Sequence, residues 1–227
     1  MKKILNLLVI VIIIFAAWSF FGEEAGAPQD VQEQNQEQQT ETSETTSMEV
    51  PEDATHMLSV EQSELKWTAT GVGKEHFGTI PFKSGYISVT GEVSGMLSLD
   101  TTGLLVKDLE GKMKEGLENH IKSEDFLMTE SHPEATIAVK SIEPEFSKDE
   151  TEYTVTVDLT MRGVTNEVSF PATVEHSDFG MIVTGSVTID RTDWEITFRS
   201  GNVFKDLGDK LINDEVVIDL NLTLLNK

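Results

Sequence analysis

Segments in which apolar and polar residues alternate recur from Leu58 to the end of the chain, and they limit its possible folds more than any other feature. In the clearest segment, residues 153–161, the apolar side chains share one face and the threonines and an aspartate share the other. Such alternation is typical of a strand with one buried face. The same pattern predicts strands at residues 65–69, 84–89, 93–99, 104–108, 135–142, 167–174, 181–189 and 215–225.

Turn sequences such as Thr90-Gly91 and Arg162-Gly163 separate these segments, and helical patterns are almost absent between them. Parallel strands need long crossover connections, so the sheet is predicted to be mostly antiparallel. An antiparallel sheet of this size, apolar on one face, closes into a barrel or stacks as a sandwich.

One block, residues 111–135, departs from the strand pattern. Met113, Leu117 and Ile121 are spaced four apart, which predicts a helix, and residues 123–126 have the composition of a second helical start. Residues 190–198 are predicted to begin in an Asx-turn and return to a strand, and residues 202–213 to form a short irregular helix. The expected fold class is therefore all-β, with a short helical insertion.

The N-terminal 57 residues differ in composition from the rest of the chain and divide into two segments. Residues 1–22 contain Lys2 and Lys3 followed by an apolar run over residues 4–21, which predicts a membrane anchor or a signal segment. The length of the run favours an uncleaved apolar helix, while Ala25-Gly26-Ala27 leaves a cleaved signal peptide possible. The two lysines orient the following domain to the extracytoplasmic side. Residues 23–57 are acidic and polar, which predicts a disordered stalk before a domain at 58–227.

The charge and the missing cysteines exclude several functions. The chain carries 40 acidic and 17 Lys and Arg residues, a formal net charge of −23. Nucleic-acid binding depends on clustered basic residues, so no nucleic-acid partner is expected. Without cysteine there can be no disulfide, thiolate metal site or lipid-modified cysteine, and membrane attachment would have to come from the apolar run.

Three groups of residues, in this order along the chain, resemble the YceI family of lipid-binding, lipocalin-like proteins. The first is Lys74-Glu-His-Phe-Gly-Thr-Ile80, and the second is His120-Ile-Lys-Ser-Glu-Asp-Phe126 with His132-Pro133-Glu-Ala135. The third is Leu159-Thr-Met-Arg-Gly-Val-Thr165 with Val168-Ser-Phe-Pro171 and Ile189-Asp-Arg-Thr-Asp-Trp194. The chain departs from the family after Phe126, where Leu127-Met-Thr-Glu-Ser-His-Pro133 replaces the usual Phe-Asp-Val-Glu-Lys-Tyr-Pro. Contacts in that loop are therefore not carried over.

The resemblance implies an eight-stranded antiparallel lipocalin-like barrel around an elongated apolar tunnel, with the helical insertion near its mouth. It also implies a non-enzymatic protein that stores or transports a polyisoprenoid lipid, such as an isoprenoid quinone or a polyprenyl phosphate. No cofactor is expected apart from such a lipid. A carrier is needed because each CH2 group left in water costs about 0.8 kcal/mol.

The candidate ligand-binding residues follow from these motifs. Phe77, Phe126 and Trp194 are the predicted tail contacts, because each lies in a resembling motif beside a break in the alternation. Arg162 and Arg191 follow strands and could hold an anionic headgroup, although a surface ion pair is the simpler interpretation. The remaining candidates, of which the aromatic residues could equally be ordinary core residues, are Trp67, Leu97, His120 and Phe198.

Metal binding and catalysis are less well supported. No two histidines have a metal-binding spacing, although His120 and His132 could converge in space with a nearby carboxylate. No nucleophile motif or phosphate-binding glycine loop occurs. Two alternatives to a lipid carrier remain: an envelope interaction module with a solid core, and a lipid-modifying enzyme with His120 or Asp190 inside the barrel. The oligomeric state is not predicted.

Overall fold

The computed structural model describes residues 48–145 and 151–227. Short, alternating segments separated by turns form eleven strands, and the block with four-residue spacing forms one α-helix, α1 (Gly111–Lys122). The strands are β1 (His56–Leu58), β2 (Glu64–Gly71), β3 (Lys74–Ile80), β4 (Phe82–Ser88), β5 (Ser94–Asp100), β6 (Leu105–Val106), β7 (Glu134–Pro144), β8 (Glu152–Met161), β9 (Val164–Ser177), β10 (Gly180–Asp190) and β11 (Ile212–Asn226).

Eight of these strands form a closed antiparallel ring, which confirms the predicted barrel. The order around the ring is β1-β4-β5-β7-β8-β9-β10-β11, and β1 pairs with both β4 and β11. β11 is long enough to pair with β1 near its C-terminal end and with β2 over residues 212–221. The β2–β3 hairpin thus continues the wall beyond β1 and β4, and β6 adds to the edge of β3.

Side chains that alternate along each strand fill the interior. Val155, Val157 and Leu159 of β8 are buried, and the intervening polar residues face outward. Leu97 and Leu99 of β5 are each only 2% exposed. One apolar core therefore runs through the barrel.

The ladder between β9 and β10 covers only part of their length. It runs from the Ser177–Gly180 pair to the Ala172–Gly185 pair and stops there. Residues 164–171 of β9 pair with β8, and residues 186–190 of β10 pair with β11, but these two halves do not pair with each other. We call this unpaired stretch the β9–β10 seam. The turn after β10 bridges the seam, where Asn166 Nδ2 donates to Asp193 O at 2.8 Å.

Two connecting segments cover the end of the barrel near α1, and both differ from the sequence prediction. Residues 123–126 do not start a second helix, because Leu127 N donates to Ile121 O and turns the chain back on α1. Residues 190–198 begin with the expected Asx-turn, in which Asp190 Oδ1 accepts from Thr192 N. They continue as a 3₁₀-helix, Arg191–Trp194, and not as a strand.

The irregular helix predicted at residues 202–213 is also wrong. Within it, the structure has turns, a 3₁₀-helix of three residues, Gly208–Lys210, and the start of β11 at Ile212. The predicted β6 shrinks from five residues to Leu105–Val106, whereas β9 is longer than predicted at both ends.

The predicted anchor at residues 1–22 and most of the predicted stalk lie outside the described residues. The fold already includes residues before Leu58, since Ala54 is buried and β1 begins at His56. Among the residues that are described, no helix has both the length and the apolar composition needed to cross a bilayer.

Candidate functional site

The barrel encloses a small cavity whose lining is wholly apolar. Its volume is about 50 Å³, and it lies at the end of the barrel opposite α1, where the β4–β5 and β9–β10 turns are. No titratable or hydroxyl side chain is among its lining residues. The lining residues include Leu97, Val157, Phe170, Val183, Gly185 and Leu220.

This cavity is not the elongated tunnel that the family resemblance implies. A site that takes up a drug-sized ligand usually offers ~300 Å³ or more, so a prenyl chain does not fit into 50 Å³ without rearrangement. The space is small because large side chains from opposite walls meet in the interior, and Leu97, Leu99 and Leu224 are each 2% exposed or less.

A glycine in the wall makes room for a large ring beside the cavity. Gly185 faces inward from β10, and a Cβ added there would lie 2.9 Å from Cε2 of Phe170. The Phe170 ring therefore occupies the position that a side chain on residue 185 would take. Both residues border the cavity, and both lie where the β9–β10 ladder ends.

The predicted site residues are distributed over four places: the cavity, the inward face of β2, the outer face of β3 and the covered end of the barrel. Leu97 lines the cavity. Trp67 is buried on the inward face of β2, next to Gly78. Phe77 was predicted to contact the lipid tail, but it points to the outer face, because Gly78 and Ile80 occupy the inward positions of β3. The ammonium group of Lys66 lies 5.3 Å from the centroid of the Phe77 ring.

Three of the predicted residues come together at the covered end of the barrel. The His120 ring centroid lies 5.1 Å from that of Phe126 and 4.8 Å from that of Phe198, and the two phenyl centroids are 5.5 Å apart. His120 Nε2 is also 3.0 Å from Asp125 Oδ2. These three rings, which we call the aromatic cluster, join α1 to the segment after β10 and do not border the cavity.

Trp194 is also at the covered end, where it is part of the core. It is 2% exposed, and its Nε1 donates to Leu159 O at 3.0 Å. This hydrogen bond therefore joins the segment after β10 to strand β8. The structure places it away from the cavity that we describe as the candidate site.

Arg191 is held by the protein itself. It is only 4% exposed, and its guanidinium donates to Asn213 O, Ile196 O and Ile212 O as well as to Asp214 Oδ1 at 2.9 Å. Burial lowers the pKa of Arg191, while Asp214 and Asp190 oppose that shift. Arg191 is thus neither a surface ion pair nor available to an anionic headgroup.

Arg162 also has partners in the protein. Its Nη1 donates to Glu195 O at 2.8 Å, and its Nη2 lies 3.0 Å from Met128 Sδ. Its backbone is left-handed, with φ of 51°, as is typical of the first residue of a two-residue hairpin turn followed by glycine. This side chain links the β8–β9 turn to both covering segments.

The structure adds residues that the sequence analysis did not select. Phe170, Val183 and Gly185 line the cavity. Phe170 lies in the resembling motif Val168-Ser-Phe-Pro171, Val183 lies in a predicted strand, and Gly185 is a glycine inside a strand pattern. The described residues, His120 and His132 included, contain no group of three or more His, Asp or Glu side chains that could hold a metal ion.

Comparison with known proteins agrees with this architecture. A closed eight-stranded barrel with an apolar interior defines the class of small barrels whose interior is filled by side chains or holds one small ligand. The chain belongs to the YceI-like family: the model of the YceI-like domain matches residues 51–224.

A curated relative, the UPF0312 protein SA2479 of Staphylococcus aureus strain N315, is 31% identical over 124 residues. That match covers 50% of this chain and 66% of the relative.

Two solved structures share the fold. BcnA of Burkholderia cenocepacia matches with a TM-score of 0.58 and 21% identity, over 73% of this chain and 98% of its own. A polyisoprenoid binding domain from Saccharophagus degradans matches with a TM-score of 0.59 and 15% identity, over 77% of this chain and 99% of its own.

Proposed function

We propose that this protein binds one long-chain isoprenoid lipid inside the barrel, without catalysis, and stores or carries it on the extracytoplasmic side of the membrane. The observation that carries the proposal is the cavity with a wholly apolar lining inside a closed barrel. The structural neighbour described as a polyisoprenoid binding domain supports the same ligand class.

The chemistry of the lining favours a hydrocarbon chain. Each CH2 group moved from water into an apolar site gains about 0.8 kcal/mol, so a tail of several prenyl units gains many times this amount. A polar ligand would lose its hydrogen bonds to water in the same place and find no replacement. For the same reason no catalytic step is proposed, since the lining residues offer no acid, base or nucleophile.

Binding requires the barrel to expand, because the cavity is about 50 Å³. The β9–β10 seam can widen without breaking backbone hydrogen bonds between strands. Phe170 lies at the end of this seam and can leave its place over Gly185 by rotating about its side-chain bonds. We propose that the tail displaces Phe170 and extends the cavity along the barrel.

The location is part of the proposal. Lys2 and Lys3 before the apolar run would keep the N-terminus in the cytoplasm and place the barrel outside it. An apolar run that stays attached would hold the carrier at the membrane from which a lipid must come.

The test is native mass spectrometry of the full chain, followed by solvent extraction of what it carries. We expect one isoprenoid lipid per barrel. Val183→Trp fills the cavity from β10 and should abolish lipid retention, whereas Thr184→Trp, its neighbour on the outer face, should leave retention unchanged. Equal retention by both variants, or wild-type protein that never carries a lipid, would contradict the proposal.

A second function, an interaction module with a solid core, is favoured by the small volume of the cavity. It predicts that a fluorescent fatty acid or a quinone analogue does not bind to the purified protein at any temperature below unfolding. Saturable binding of either probe with one site per barrel would exclude it.

A further inference from the structure

Trp67 occupies an inward position between the cavity and the covered end of the barrel. Leu220, which lines the cavity, pairs with Leu65 of β2. Trp67 is the next residue on the same inward face of β2, about 7 Å further along the strand. It pairs with Ile218 of β11 and Gly78 of β3.

The indole Nε1 of Trp67 is a buried donor without a partner. Among the described residues, it is the only buried side-chain nitrogen or oxygen that makes no hydrogen bond. An unpaired buried donor costs about 1–3 kcal/mol, and most buried polar groups are therefore bonded. Trp194 shows the usual arrangement in the same barrel, since its Nε1 donates to Leu159 O at 3.0 Å.

The neighbours of Trp67 do not satisfy its donor. Ile218 beside it on β11 and Val106, which pairs with Gly78, have apolar side chains. A Cβ added to Gly78 would lie 2.9 Å from Cε2 of Trp67, the carbon bonded to Nε1, and 2.0 Å from the backbone oxygen of Leu105, so the indole packs closely against the backbone there. Nε1 nevertheless makes no hydrogen bond to that oxygen or to any other atom of the described residues.

Charge restricts what could accept this hydrogen bond. Arg191 is the only charged residue that is buried among the described residues, and Asp214 neutralises it. Lys66, beside Trp67 in sequence, points to the outer face of β2, where its side chain is 42% exposed. A phosphate or carboxylate inside the barrel would meet one neutral donor and no free cation, which is very unfavourable.

We infer that Trp67 Nε1 binds the polar end of the ligand, and that this end is an uncharged oxygen acceptor such as a carbonyl. The inference rests on the proposed function and deepens it, because it fixes the orientation of the lipid. The tail runs through the cavity toward the β9–β10 turn, and the polar end reaches Trp67, which does not line the cavity, only when the barrel has expanded.

The experiment compares three probes with the same prenyl tail on the full chain: farnesyl acetone, which has a ketone, farnesene, which is a hydrocarbon, and farnesyl diphosphate. Trp67 is replaced by benzothienylalanine, which keeps the shape of the indole and has sulfur in place of the N–H. The same replacement at Trp194 is the matched control, since that indole already has a protein acceptor.

We expect wild-type protein to prefer the ketone over the diphosphate. The replacement at Trp67 should lower the ratio of ketone to hydrocarbon affinity about tenfold, equivalent to about 1.4 kcal/mol. It should not lower the melting temperature of the ligand-free protein. The replacement at Trp194 should lower that temperature and leave the affinity ratio unchanged.

The outcomes separate this inference from the proposed function. An unchanged affinity ratio at Trp67, or preferred binding of the diphosphate, would overturn the inference and leave lipid binding intact. A loss of ligand-free stability at Trp67 equal to that at Trp194 would also overturn it, since the N–H would then have a protein partner. If none of the three probes binds to wild-type protein, both the proposed function and the inference fail.

Discussion

Single glycines in the barrel wall decide where the large rings of the interior can lie. Gly78 leaves room for Trp67, and Gly185 leaves room for Phe170. A strand interior usually disfavours glycine, because glycine loses more backbone entropy on folding and offers no packing. Here the lost packing is replaced by an aromatic ring from the neighbouring strand.

Replacing Gly78 by alanine should therefore be strongly destabilising. The added Cβ would lie 2.0 Å from the backbone oxygen of Leu105 and within 3 Å of the Trp67 ring, so a strand must shift to accept it. We expect a loss of about 3 kcal/mol in the free energy of unfolding, measured by urea denaturation.

Gly116→Ala is the matched control, because nothing lies within 4 Å of a Cβ at that position of α1. That change should stabilise the protein by about 0.5–1 kcal/mol. Equal effects of the two alanines would show that Gly78 is not tightly packed.

At the scale of whole elements, the sequence predicted strands well and connections poorly. Alternation identified β8 almost to the residue, because one face of that strand is buried and the other is not. The segment after β10 carries the same signal in Trp194, Ile196 and Phe198. It is nevertheless not a strand, since Glu195 has a φ of 61° and the chain folds over the end of the barrel. Periodicity shows that these side chains are buried, but not against what.

The candidate site shows the same limit. The family motifs selected residues in the covering segments, and His120, Phe126 and Phe198 do meet there. The cavity lies at the other end, lined by residues such as Phe170 and Val183. Alternation assigns a residue to the inward face, whereas its height along the barrel depends on the register between strands, which is set by contacts distant in sequence.

The short strand β1 is predicted to weaken in mild acid. Burial lowers the pKa of His56 from its usual value of 6.5, and His176 lowers it further, while Asn226 opposes the shift. Because the folded state binds this proton less readily than the unfolded state, the contribution of His56 to stability is intact above pH 6.5. It falls as the pH drops below that value.

Amide hydrogen exchange at pH 7.5 and pH 5.5, corrected for the pH dependence of the intrinsic exchange rate, tests whether β1 weakens in mild acid. Protection in β1 and in the part of β4 paired with it should fall at the lower pH, while protection in β8 should not. His56→Gln should remove the difference. Equal loss of protection in β1 and β8 would indicate a general effect of acid instead.

For the molecule as a whole, the proposed uptake of a long lipid requires the closed ring to open. At the β9–β10 seam the turn containing Asp193 takes the place of a backbone ladder. Widening along a paired stretch would break strand pairs together, whereas widening here would break a few side-chain bonds. The seam is thus a low-cost path for expansion.

A covalent bridge across the seam should slow lipid exchange without changing affinity. The chain has no cysteine, so Ser169→Cys with Thr188→Cys, both on the outer face, can be joined by a bismaleimide without side reactions. We expect uptake and release of a fluorescent prenyl lipid, followed by stopped flow, to slow about tenfold together. This ratio corresponds to about 1.4 kcal/mol in the barrier.

The control bridge joins Thr173→Cys and Thr184→Cys, which are paired in the ladder of the same two strands. It should leave both rates unchanged. Unchanged rates with the seam bridge would place the path of the lipid elsewhere.

The ring is completed by β1, which has only three residues, His56–Leu58, between β4 and β11. If those three residues detach, β4 and β11 each expose an edge with unpaired backbone N–H and C=O groups. A second molecule could insert its own β1 there, and the same exchange repeated from molecule to molecule would produce a linear polymer. Conditions that weaken the pairing of β1 are therefore those in which the purified protein is expected to form fibres.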